Sequence, residues 1–103
     1  MSIPALTDAQ RELARTAATQ ARRRRAEIKN GLRDGSLSLA EALDLAERDD
    51  IVAHTKVVDA LKSLPRVGEV RARRVMAELQ IAPNRRLRGL GKHQVAGLIS
   101  EFS

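Results

Sequence analysis

The chain of 103 residues has no Cys, no Trp and no Tyr, and a single Phe. Without cysteine there is no disulfide framework and no thiolate metal site. Its two histidines, His54 and His93, lie far apart and cannot make a structural zinc site alone. No metal and no cofactor is therefore expected. With one aromatic ring, the core must be built from Leu, Ile, Val, Ala and two Met, and there are no surface rings on which unpaired bases could stack. Apolar runs long enough to span a membrane are missing. So is the basic start and apolar stretch of a leader in "MSIPALTDAQ". A soluble, cytoplasmic protein with no membrane partner is the expectation. Alternating β-branched or aromatic runs, internal repeats and low-complexity linkers are also lacking. The expected class is all-α.

What the chain has is positive charge. The net charge is +6, from 19 Lys and Arg against 13 Asp and Glu. It is blocked: residues 1–40 carry eight basic and four acidic residues, residues 41–62 three and six, and residues 63–103 eight and three. Two basic blocks flank an acidic one. Arg predominates, and its fork matches phosphate oxygens, so a polyanion is the expected partner, nucleic acid before membrane surface.

Capping signals set the helices. Thr7 with Gln10 and Ser38 with Glu41 have capping-box spacing. The first helix should run from Thr7 to about Asp34, with Gly35 as its terminating residue and Gly31 weakening its last turn. The second should run from Ser38 to near Arg48, with Leu39, Ala42, Leu43 and Ala46 on its buried face. A third covers about Ile51–Leu64, as one helix or two pieces, and stops before Pro65. A fourth runs from about Gly68 to Gln80 with Ala72, Val75, Met76 and Leu79 inward, closed by "APN". The last starts near Lys92 and buries Val95, Leu98, Ile99 and Phe102. Asp49 and Asp50 read as a terminator or first-turn charges, not as an acid–base pair.

On the first helix, at 100° per residue, Arg11, Arg15, Arg22, Lys29 and Arg33 fall within about 40° of one another, a stripe about 33 Å long. The "RRRR" at 22–25 fans around the helix, with Arg22 and Arg25 nearest the stripe. This is a solvated face or a phosphate-tracking rod. Its alanine-rich first half is expected to pack poorly.

The stretch "SLPRVGEVRARRVMAEL" ends one helix at Pro65 and starts another after Gly68. A helix N-terminus behind a glycine turn can receive a phosphate. Gly68 permits a positive φ, Val67 and Val70 are expected to anchor the turn inward, Arg66, Arg71 and Arg74 are free to point outward, and Glu69 is expected to point aside. Alone, such a corner is an ordinary turn.

Leu64, Pro65, Val67, Gly68 and Ala72 resemble the hairpin of helix–hairpin–helix and helix–two-turns–helix DNA-binding modules. Arg66 replaces the first glycine of that pattern, which favours the looser two-turn form. With "RRRRAEIKNGLRDGSLSL" upstream and "RRLRGLG" downstream, nearly the whole chain resembles the actinobacterial integration host factor family. The resemblance implies a long basic amphipathic helix over residues 1–35 and a compact S13-like helix–two-turns–helix domain over 36–103. It also implies a nucleoid-associated protein that binds duplex DNA through the backbone with little sequence preference and bends or compacts it.

The expected contact residues are Arg66, Val67, Gly68, Val70, Arg71 and Arg74 at the hairpin. At the second turn they are Arg85, Arg86, Arg88, Gly89, Gly91 and Lys92, whose glycines would let the turn approach phosphates. Arg11, Arg15, Arg22, Arg23, Arg25, Lys29 and Arg33 form a secondary set. A monomer without catalysis is expected, in the cytoplasm and nucleoid, with a recombinase or other nucleoid proteins as candidate further partners. The alternative is an RNA-binding or ribosome-associated protein using the same module. An enzyme of the glycosylase type is disfavoured, because no Asp follows Asp59 where such enzymes carry their catalytic one.

Overall fold

Thr7 and Gln10 start the first helix as their spacing predicts. In the computed structural model, which describes residues 7–102, the Thr7 hydroxyl accepts from the Gln10 amide at 3.1 Å and the Gln10 side chain accepts from the Thr7 amide at 2.9 Å. The expected leader-free start and the outermost ends of the two expected segments (residues 1–6 and 103) lie outside the described residues. Helix α1 spans Asp8–Asp34, about 40 Å. It ends on Gly35, whose φ of 84° is one that an L side chain resists.

Only the C-terminal part of α1 packs. Ile28, Gly31 and Leu32 are buried, whereas Leu13 is 71% exposed. Alanines on the first half of the rod offer too little area to hold it against the domain. It therefore projects, and the described chain measures 53 × 31 × 24 Å.

Ser38 and Glu41 form the second capping box. Helix α2, Leu39–Leu45, buries Leu39, Ala42 and Leu43, with Ala46 buried just beyond. It stops short of the expected end near Arg48, and a turn leads to Asp49. That residue caps α3, Asp50–Ala53, by accepting from the amides of Ile51 and Val52. Its second oxygen accepts from Arg24 Nε at 2.9 Å. Burial pushes the Asp49 carboxyl up, but the Arg24 hydrogen bond and the two amides outweigh it and hold the group below the usual carboxylate range. One member of the arginine run is thus structural: Arg24 clasps α1 to the domain.

The expected third helix is two. Helix α3 ends before His54, and α4 covers Val57–Ser63. Between them the chain is extended and pairs antiparallel with residues 85–87. The Val57 amide donates to Arg85 O, and the Leu87 amide donates to Thr55 O, both at 2.9 Å. Helix α5 spans Glu69–Glu78 and α6 Lys92–Phe102, with a short 3-10 turn at Leu87–Gly89. Helix α5 stops before "APN", at Gln80 with φ 58°.

The core is aliphatic: Leu32, Leu61, Met76 and Leu98 are almost wholly buried, with Val52, Val57 and Val75 around them. Phe102 packs at its edge, partly buried. The six α-helices of the described residues agree with the all-α expectation.

Gly31 has a packing role that its low helix propensity hides. A Cβ there would lie 2.9 Å from Leu37 Cβ, and the Leu37 amide donates to Gly31 O at 3.0 Å. Propensity alone favours Gly31→Ala by about 1 kcal/mol; the overpacking opposes it by about 1–3 kcal/mol. The expected outcome in a thermal melt is a lower Tm, and a higher Tm would show the α1–α2 corner to be slack.

Candidate nucleic-acid interface

The hairpin between α4 and α5 is assembled differently from its expectation. Gly68 has φ −89° and ψ 172°, an extended conformation open to any residue. The positive φ belongs to Arg66, at 65°, where the related modules have their first glycine. An arginine there costs about 1–2 kcal/mol, and its side chain is exposed. A Cβ on Gly68 would meet no atom within 4 Å, so nothing inside the chain demands a glycine. Its bareness leaves the start of α5 uncovered.

Val67 is buried as expected, but Val70 is 83% exposed. Val67 and Ala72 already fill the inward positions, which turns Val70 to solvent. Arg71 is not free either: its guanidinium lies 5.0 Å from the centre of the Phe102 ring and 4.0 Å from Glu101. Arg74 is exposed and has no carboxylate partner among the described residues. Glu69 lies aside, between Lys62 and Arg73, each at 3.4 Å. The charge of Lys62, then that of Arg73, holds its carboxyl below the usual range.

The second turn, residues 85–91, forms a lid pinned by the backbone pairing with Thr55 and Val57. Its three arginines are held by protein acceptors. Arg85 donates to Gly89 O at 2.6 Å, Arg86 to His54 O, and Arg88 to the Asp50 carboxylate. A Cβ on Gly89 would lie 2.6 Å from Arg85 Cδ. That glycine therefore makes room for the lid's own arginine, not an opening for an outside group. Gly91 lies just ahead of α6, its amide donating to Gln94 Oε1 at 2.9 Å. Lys92 is exposed.

Ion pairing sorts the cations. Arg11, Arg15, Arg24, Arg48, Lys62, Arg71, Arg73 and Arg88 have carboxylates within 4.0 Å. Among the described residues, those without one gather in three places. Arg66 and Arg74 are at the hairpin, and Arg22, Arg23 and Arg33 are on the rod. Arg25, Lys29, Lys56 and Arg86 line one cleft with His54, Thr55 and Asp59. Arg85 and Lys92 complete the lid.

The structure thus brings the rod's Arg25 and Lys29 to the lid, and separates lid from hairpin by the length of α4, about 10 Å. Lys56 and His54 were missed as site residues, because the sequence places them within an acidic block. Reading the helix break at 54–56 as a docking edge would have found them. Among the described residues, no group of three or more His, Cys, Asp or Glu could hold a metal ion. No described helix is long and apolar enough to cross a membrane.

The S13-like H2TH domain family matches residues 32–102. The chain is 47% identical to the Integration host factor of Mycobacterium tuberculosis over 102 residues, covering 99% of this chain and 97% of that one. It is 45% identical to the Integration host factor of Streptomyces coelicolor over 102 residues, covering 99% and 95%. A solved structure, "Structure of sIHF bound to an 8bp palindromic DNA", superposes with a TM-score of 0.82 at 44% identity, covering 85% of this chain and 99% of that one.

Asp50 competes for Arg88 with any phosphate that approaches the lid. Asp50→Asn should raise affinity for a short duplex by about 1.4- to fivefold, the span of an exposed ion pair's ~0.2–1 kcal/mol. Fluorescence anisotropy against Arg88→Gln checks this. Unchanged affinity in Asp50→Asn would remove Arg88 from the contact surface.

Proposed function

The chain belongs to the integration host factor family through its S13-like H2TH domain, and on that premise we propose that it is an architectural protein of the nucleoid. It binds duplex DNA through the phosphate backbone with little sequence preference, bends or compacts it, and assists DNA–protein assemblies such as site-specific recombination. The observation that carries this reading is the likeness, over 85% of the chain, to a relative solved on DNA. The cation layout supports it. Guanidinium and ammonium groups without carboxylate partners collect on the hairpin, the lid and the rod, and one partly buried ring is the only aromatic.

Phosphate contacts position a protein without reading bases. Arg66, Arg74 and the amides at the start of α5 would hold one stretch of backbone, with Val67 buttressing the turn beneath and Val70 laid against the sugar. Arg85, Arg86, Arg88 and Lys92 would hold another. Two anchor points about one α4 length apart would reward a duplex that curves toward the protein. The rod, over residues 1–35, and the domain, over 36–103, divide the work, although Ile28 and Leu32 of the rod complete the domain's core. Arg11 and Arg15 on the projecting half, with Arg22 and Arg23 nearer the domain, would meet a second duplex. The role is binding and shaping by a monomer in the cytoplasm's nucleoid, with no reaction assigned.

Arg85→Ala combined with Arg86→Ala should weaken binding to all duplex sequences alike and make the salt slope shallower by about two. A melt of the variant confirms that the lid has stayed folded. Duplex DNA, duplex RNA and ribosomes, compared at matched salt, test the partner class, and a clear preference for ribosomes overturns this reading. Neutralising Arg11, Arg15 and Arg22 should affect one-duplex affinity little and duplex bridging strongly. Equal losses in both assays would place the rod in the main surface.

A further inference from the structure

The cleft between α1 and the lid collects like charges in a concave space, the reverse of a solvated face, where charges diverge. It has a volume of about 250 Å³ and is lined by Arg25, Lys29, Lys56 and Arg86 with one carboxylate, Asp59. Among the described residues none of these four cations has a carboxylate within 4.0 Å. Elsewhere the protein spends its acidic residues freely on arginines, even on exposed ones.

The positions are fixed by the fold. Arg25 and Lys29 lie one turn apart on α1, on the same flank of buried Ile28. Lys56 and Arg86 face each other across the antiparallel bridge, tied by the Val57 and Leu87 amides. The backbone thus brings four cations from three separate segments to the lining of one cleft, with Arg86 held there by His54 O.

We propose that this cleft is a phosphate-binding site in its own right, in which Arg25, Lys29 and Lys56 close on one phosphate group beside Arg86. The occupant is a backbone phosphate of the duplex that the lid engages, and in this respect the inference rests on the DNA-binding reading; a free polyphosphate carries the same chemistry. Filled in this way, the cleft joins rod and lid into one track. It also explains why Lys56, inside the acidic block, is a lysine without a partner.

The test pairs Lys29→Gln/Lys56→Gln with Asp59→Asn, each titrated with duplex DNA across a salt series and, separately, with inorganic triphosphate. The double variant should lose about three- to tenfold in duplex affinity and about one in salt slope, while Asp59→Asn gains affinity. Without ligand, the double variant should melt slightly higher, because like-charge crowding is relieved; a purely structural role would lower Tm. If wild type binds duplex and neither variant differs from it in affinity or slope, the inference fails and the DNA-binding reading stands. If wild type does not bind duplex, that reading fails. One-site triphosphate binding lost in the double variant then supports the cleft with a free polyphosphate as its source, and no triphosphate binding overturns it.

Discussion

Two backbone hydrogen bonds, from the Val57 amide to Arg85 O and from the Leu87 amide to Thr55 O, organise much of the rest. To make them, residues 54–56 must leave the helix, which splits α3 from α4. The same bonds hold the second turn against the domain. They set Lys56 beside Arg86 and let Arg86 reach His54 O. A loop rich in arginine and glycine would otherwise lose much conformational entropy to become ordered. Here two bonds between chain segments, with Leu87 buried beneath them, do the ordering.

The acidic block does more than dilute the charge. Asp49 caps α3 and clasps Arg24, and Asp50 steers Arg88. Glu69 ties Lys62 of α4 to Arg73 of α5 at the hairpin. Carboxylates therefore decide which cations are structural and which remain available. Net charge alone says nothing about this: Arg24 and Arg25 are neighbours in one run, yet the first belongs to the scaffold and the second to a cleft.

Local signals in the sequence located the elements well. Capping boxes at Thr7 and Ser38, the terminating Gly35 and the apolar spacing of α5 and α6 all act within a turn or two of chain, so they can be read without knowing what packs where. The site was less legible because it depends on partners distant in sequence. Arg66, not Gly68, carries the positive φ, at the place where the related modules have their first glycine. Val70 is exposed because Val67 and Ala72 take the inward places. Arg71 is drawn to Phe102 and Glu101, thirty or more positions along the chain. Gly89 accommodates an arginine of its own loop. Periodicity identifies a helix face but not its neighbour.

The projecting half of α1 has a consequence for how the molecule moves through solvent. Its Cα radius of gyration is 16.4 Å, against about 13 Å for a compact chain of this length. Frictional drag follows shape as well as mass, so a single copy elutes from a sizing column ahead of globular standards of its weight. A mass-sensitive method such as light scattering distinguishes this elongation from dimerisation.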